Sequence, residues 1–261
     1  IFIKQATALI KSLSHSTNHY HTMVEKIIKG IKYRLDEGTM TAEVIAKRNG
    51  YEGDIIIPET VVFKKVSYLV TNIDEHAFYN CKSLISITIP DSVTSIGERA
   101  FENCVSLTSI VIPDGVTTIG EATFDCCSSL TSIVIPNGVT SIGEGAFESC
   151  SSLKAITISN SVKSIGEWAY AYCRSMTDIT IPDGVKSIGV AAFDHCESLT
   201  SIVIPNSVCI IGEGAFFGCE SLITINYTGT IAQWNQITLG EDWRYYVPAS
   251  VVHCTDGDVE I

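Results

Sequence analysis

From Cys81 to Leu222 the apolar positions of the chain recur every 23 residues. One column is leucine: Leu84, Leu107, Leu130, Leu153, Met176, Leu199 and Leu222. Three residues on runs an isoleucine column from Ile87 to Ile225, and two further on another from Ile89 to Ile204 that ends at Tyr227. Then come a valine column (Val70 to Val208), a third isoleucine column (Ile73 to Ile211) and an aromatic one: Phe78, Phe101, Phe124, Phe147, Tyr170, Phe193 and Phe216. Self-similarity at a fixed period of this length is the mark of a solenoid.

One unit reads L-x-x-I-x-I-P-D/N-S/G-V-x-x-I-G-E-x-A-F-x-x-C-x-x. The I-x-I alternation has period 2 and predicts a half-buried strand. The Pro-Asp/Asn-Gly/Ser step that follows is turn chemistry, since Pro sets φ, Gly permits φ > 0 and Asx bonds its own backbone. V-x-x-I-G predicts a second short extended piece. E-x-A-F-x-x-C is expected to be one turn of helix or 3₁₀ that closes the coil. No single unit can bury its own Leu, Ile, Val and Phe, so stacked neighbours must supply the core. At about 4.8 Å per coil the stacked region is on the order of 35 Å long.

The unit resembles the BspA-like (treponemal-type) leucine-rich repeat, whose mark is I-P…V-x-x-I-G-x-x-A-F-x-x-C. The resemblance covers about residues 31–261 and departs locally, with Thr123 for Ala, Ser159 for Pro, Tyr170 for Phe and Val190 for Glu. It implies a β-rich leucine-rich-repeat solenoid, a right-handed coil with caps at both ends. It further implies a role in adhesion or in contact with host proteins or other microbes.

The ends break the pattern. Residues 1–30 read as a leader or a poorly ordered segment, with Ile3, Ala6, Leu9, Ile10 and Leu13 spaced for a short amphipathic helix. Residues 31–80 read as an N-terminal cap with the first partial repeat, and the excess length near FKKVSYLV as a hairpin insertion. Residues 81–222 are the 23-residue repeats and 223–261 a C-terminal cap, where Trp234 and Trp243 are placed to plug the open end of the core.

The formal net charge is −12 over 261 residues. Such a surface repels phosphate backbones and anionic lipid, so no nucleic acid and no membrane insertion is expected; no run of apolar residues is long enough to span a bilayer. The cysteines Cys81, Cys104, Cys127, Cys150, Cys173, Cys196 and Cys219 form a column. They are spread along the rod rather than gathered in pairs, which argues against zinc. Their parallel Cβ vectors and odd number argue against disulfides, leaving buried free thiols that pack as small apolar groups. Cys126 and Cys209 fall at variable, exposed positions.

A glutamate column runs Glu75, Glu98, Glu121, Glu144, Glu167 and Glu213. A cation-binding stripe is one reading. The favoured one sets each Glu against the amide dipoles of the following helical turn. Asp256 and Asp258 in D-G-D lack the other ligands of a calcium loop. His15, His19 and His21 lack a fourth metal ligand. No metal site, cofactor or catalytic motif is expected, and the glycine column serves a tight backbone.

Variation concentrates after the aromatic column. Tyr172, His195 and Gly218 share one register; Ala171, Asp194 and Phe217 share the next; Trp168 stands where other coils have Arg99, Ala122, Ala191 or Gly214. Large aromatics at otherwise small or polar positions make Trp168, Tyr172, His195 and Phe217 the binding candidates. The alternative is that Trp168 and Tyr172 merely pack over each other. The expected function is an extracellular or cell-surface binding or adhesion module, a monomer that presents a solenoid face to a protein or glycan. The alternatives are a structural spacer of a larger surface protein and a hydrolase carried by His253 and Asp256 in the C-terminal cap.

Overall fold

In the computed structural model, residues 23–261 are described; the expected helix over Ile3 to Leu13 and the three histidines His15, His19 and His21 lie outside them. The I-x-I segments pair in parallel, one coil on the next, with a uniform register: Ser132 opposite Ala155, Ile179 opposite Ile202, Ile202 opposite Ile225. The V-x-x-I segments form a second parallel ladder, six strands from Thr118–Ile119 to Thr238–Leu239. Positions 23 apart in sequence therefore become neighbours along one axis, and their side chains fuse into a single buried cluster.

The aromatic column shows how closely the coils repeat. Phe78, Phe101, Phe124, Phe147, Tyr170, Phe193 and Phe216 stack face to face, with centroids 5.0 to 5.4 Å apart and planes within 11°. Each such ring contributes roughly 1.5–3 kcal/mol by leaving water. The cysteine column lies beside it. Cys104, Cys127 and Cys150 are buried, and all ten cysteines are free thiols. Besides packing, each column thiol from Cys104 onward donates to the carbonyl oxygen of the aromatic residue in the preceding coil, at 3.1–3.3 Å. Each thiol thus adds a second donor to a carbonyl that already accepts the cysteine amide of its own coil, a link between coils that an alanine could not make. Cys209 is exposed and Cys126 half-buried.

The closing segment corrects the expectation of a helical turn. Its amides alternate in direction. His76, Phe78 and Asn80 donate to Glu98, Ala100 and Glu102 of the next coil, while Ala77, Tyr79 and Cys81 donate to the residue three back in their own. The residue after the Glu and the residue before the Cys lie at positive φ, as at Arg99 (54°) and Asn103 (61°). A helix would turn every amide along its own chain; here half of them cross to the neighbour, so the third side of the solenoid is also cross-linked coil to coil. The glycine column permits this. A Cβ on Gly166 would meet the Gly143 carbonyl carbon at 2.5 Å.

At the N-terminal end, β1 (Met23–Ile28) pairs antiparallel with β2 (Ile31–Asp36), which pairs with β3 (Thr41–Val44). Residues 23–28, within the segment 1–30 expected to be a leader, poorly ordered or helical, are therefore an ordered strand. β1 is largely exposed, so no buried periodicity marked it, and the turn at Lys29 and Gly30, both at positive φ, holds it to β2. Strand β4 (Gly53–Ile56) starts the I-x-I ladder. Strands β5 (Thr60–Phe63) and β6 (Val66–Ile73) form a hairpin turned by Lys64 and Lys65 at positive φ.

At the other end the helix α1 (Ile231–Trp234) is inserted, and the coil path then resumes: Ile211 pairs with Leu239, and the Phe216 amide donates to Trp243 O. Trp234 and Trp243 are buried 6.0 Å apart, and Trp243 lies edge-on to Phe216. A final hairpin, Val251–Cys254 with Gly257–Glu260, joins the first ladder.

Candidate functional site

The candidate residues all fall on the third side of the solenoid, the turn side. Trp168, Tyr172 and His195 occupy left-handed positions, with φ of 55°, 59° and 51°. Other coils place Gly145, Gly214 and Gly218 there, or Asn80 and Asn103, or small or flexible residues such as Ala122, Ala191, Ser149, Cys126 and Arg99. Gly and Asn tolerate this region, whereas a bulky side chain in it costs about 1 kcal/mol. The aromatics are thus kept at places where local backbone preference opposes them.

Tyr172 and His195 stack at 5.2 Å and 18°, and His195 meets Phe217 at 5.5 Å and 45°. Phe217 in turn stacks on Tyr245 at 5.6 Å and takes Tyr246 edge-on at 5.6 Å. The result is a ridge of five rings crossing four coils. Tyr172, His195 and Phe217 are half-buried, while Tyr245 and Tyr246 are 49% and 64% exposed. The buried carboxylate of Asp194 holds the centre, bonded to His195 Nδ1 at 2.7 Å. Partial burial, and then the Asp194 charge, raise the Tyr172 phenol above its ordinary value. The Arg174 guanidinium lies 5.9 Å from the Tyr172 ring centre and reaches Glu197 of the next coil at 3.3 Å.

Trp168 lies on the same turn as Tyr172 and is 37% exposed. It makes no ring contact among the described residues, so the suggested packing of Trp168 over Tyr172 does not occur. Tyr245 and Tyr246 were missed. Their signal was present in L-G-E-D-W-R-Y-Y-V, which repeats I-G-E-G-A-F-F-G-C; the α1 insertion had shifted it out of the 23-residue step.

Toward the N-terminus the same registers carry acid. Glu102, Asp125 and Glu148 stand where Asp194 and Phe217 stand later. Arg99 ties Glu102, at 3.0 Å, to Glu121. Burial raises both Asp125 and Glu148; Glu148 is raised further by the charges of Asp125, Asp194 and Glu144. The glutamate column faces no helix start, so the dipole reading of it fails with the helical turn. No group of His, Cys, Asp and Glu among the described residues is arranged to hold a metal ion.

In the C-terminal segment, Asp256 Oδ1 accepts from the Ile231 amide at 2.8 Å, and His253 Nδ1 meets Asp258 Oδ1 at 2.8 Å. These contacts fasten α1 and the terminal hairpin. No helix among the described residues is long and apolar enough to cross a membrane. A recess of about 410 Å³ among the N-terminal strands, lined by Ile28, Ile31, Tyr33, Pro58 and Val61, gathers no polar side chains beyond Lys29, Thr60 and the Tyr33 phenol.

Parallel ladders with a buried aromatic and thiol spine define a leucine-rich-repeat solenoid. The family model for the BspA type leucine rich repeat region matches residues 59–177 and 163–239 in 6 copies, and the chain belongs to that family. It is similar to the leucine-rich repeat protein of Treponema pallidum (27% identity, TM-score 0.56, 83% of this chain and 86% of that one). It is similar also to a leucine-rich repeat protein from Bacteroides ovatus (28%, TM-score 0.55, 85% and 68%). A leucine rich cell surface protein from Faecalibacterium prausnitzii shares the fold at 23% identity (TM-score 0.51, 83% and 98%). A comparison with curated proteins found no match.

Proposed function

We propose that this chain is a non-enzymatic binding module, secreted or displayed at a cell surface, that docks a protein or glycan partner along the ridge Tyr172–His195–Phe217–Tyr245–Tyr246. One observation carries the reading: five rings run unbroken over four coils of an otherwise small and acidic surface, three of them (Tyr172, His195 and Tyr246) at strained backbone positions. Contiguous exposed aromatic surface of this kind marks interaction sites, and aromatic anchors dominate interface energetics. Trp168, on the same side, is assigned to the edge of that site. The description of the Faecalibacterium relative as a cell surface protein supports the location. With a net charge of −12 the chain repels its own copies, which supports a monomer. A spacer role accounts for the regular Ser, Thr and Val columns of the strand sides, and leaves the ridge without a reason.

The test is a panel of immobilised extracellular proteins and glycans probed with the labelled chain and with Tyr172→Ala/Phe217→Ala. Any specific binder is expected to lose about tenfold or more in affinity, given aromatic hot spots of about 2 kcal/mol each. Circular dichroism reports whether the rod still folds. Binding that survives the double substitution rejects the ridge.

A further inference from the structure

We infer that the partner seated on the ridge is a polypeptide segment bearing arginine or lysine side chains, and not a glycan. The inference rests on the ridge being the docking face. Ring orientation is the first argument. Tyr172 has one face against His195 and the Arg174 guanidinium 5.9 Å from its ring centre; His195 lies between Tyr172 and Phe217; Phe217 lies between His195 and Tyr245. A sugar ring stacks on an open aromatic face, and along the centre of the ridge, from Tyr172 through His195 to Phe217, faces are turned on neighbouring rings. What they present is ring edges and the gaps between successive coils, which suit interdigitating side chains.

Charge is the second argument. Residues 83–261 hold 6 Lys and Arg against 20 Asp and Glu, whereas residues 23–82 hold 9 of each. The acid is therefore concentrated in the rod that carries the ridge, and a complementary partner is basic.

The third argument is a template within the chain. Arg174 lies over the Tyr172 ring and pairs with Glu197, the residue one coil on in its own register. One coil further the same arrangement is built without its cation. His195 replaces Tyr172, and Glu220 replaces Glu197. The register of Arg174 at that coil is Glu197 itself, already paired with Arg174, so no Lys or Arg stands there to pair with Glu220. Glu220 is exposed and has no ion pair among the described residues. A partner's guanidinium or ammonium group completes the rung by pairing with Glu220, its apolar stem lying along the His195 and Phe217 rings.

Fluorescence anisotropy with three probes tests this on the whole chain: a short peptide alternating arginine and leucine, its glutamate counterpart, and a neutral oligosaccharide. The arginine peptide is expected to bind, more weakly at high salt, and to lose about tenfold with Glu220→Gln. Glu144→Gln, on the same side but away from the ridge, is expected to leave affinity unchanged. An equal loss with Glu144→Gln means diffuse attraction to an acidic rod and overturns the inference. So does failure of the arginine peptide to bind, or preference for the glutamate peptide. An oligosaccharide that binds and is lost with Phe217→Ala keeps the ridge and overturns the choice of partner. Arginine-peptide binding untouched by Phe217→Ala rejects the ridge itself.

Discussion

The turn side of the solenoid is two surfaces built on one backbone. Between Glu98 and Glu148 it carries carboxylates in two registers, Glu98, Glu121 and Glu144 in one and Glu102, Asp125 and Glu148 in the other. Between Tyr172 and Tyr246 the second register and its neighbour carry rings instead. The core beneath is the same in both halves: stacked aromatics, a thiol per coil, parallel ladders. The repeat therefore fixes the path of the chain and leaves these outward registers open, and whatever distinguishes the halves lies in side chains that the fold does not require. The carboxylate ridge works against itself, since burial and neighbouring charge raise Asp125 and Glu148. The aromatic ridge is knitted, with its single buried carboxylate bonded to His195.

The largest effect expected from this contrast is at Asp194. Asp194→Ala removes the acceptor of His195 Nδ1 from a buried place and is expected to destabilise by about 1–3 kcal/mol, lowering Tm by several degrees. Glu148→Ala stands in the same register two coils earlier. It removes a carboxylate with no hydrogen-bond partner among the described residues, so it is expected to be neutral or mildly stabilising. Thermal unfolding of the two variants side by side checks the contrast, and equal losses would erase it.

The contrast was only partly legible in the sequence. The ladders, the core columns and the burial of the thiols follow from the 23-residue step alone, because stacking turns period into neighbourhood. The turn side was misjudged as helical because A-F-x-x-C has helix-like spacing. The alternation of αR and αL backbone that it adopts leaves its trace only in scattered Gly and Asn at Asn80, Asn103, Gly145 and Gly218. Tyr172, His195 and Phe217 stood out as residues too large for their registers. Their joining into a ridge did not, since Phe217 is one register away from His195 and meets it only because the rings lean across. Tyr245 and Tyr246 were hidden by the inserted α1, which breaks the step without breaking the coil. Strand β1 was hidden for the opposite reason, burying too little to leave a pattern.

The two halves meet in the coil of Trp168, Tyr170, Ala171 and Tyr172, where four positions depart from the repeat together. Tyr170 is the inward member. Its ring keeps the stack between Phe147 and Phe193, but its hydroxyl is fully buried without a hydrogen-bond partner, among the Cys150 and Cys173 thiols. Burial drives its phenol well above the ordinary value. Tyr170→Phe restores the column residue and is expected to stabilise the rod by about 1 kcal/mol, a rise in Tm of about 2–4 °C. A loss of stability would mean that the hydroxyl has a partner, and that the junction coil is specified inside as well as outside.

The smallest effect is the pH response of the acidic half. In the folded chain Asp125 lies above its ordinary value of 3.8, first through burial, and Glu148 above 4.5 through burial and then the charges of Asp125, Asp194 and Glu144. Over the window from these ordinary values up to the raised ones, the folded state binds more protons than the unfolded one. Stability from these two groups therefore falls as pH rises through that window, and stays lower at neutral pH. Asp125→Asn/Glu148→Gln removes the difference. The double variant is expected to gain less than about 1 kcal/mol over the parent at neutral pH, because both groups are partly solvated, and to gain nothing below the window. Paired melting curves at mildly acidic and neutral pH read this directly. A gain equal at both pH values would place its origin in packing, and the carboxylate ridge would then be as settled as the aromatic one.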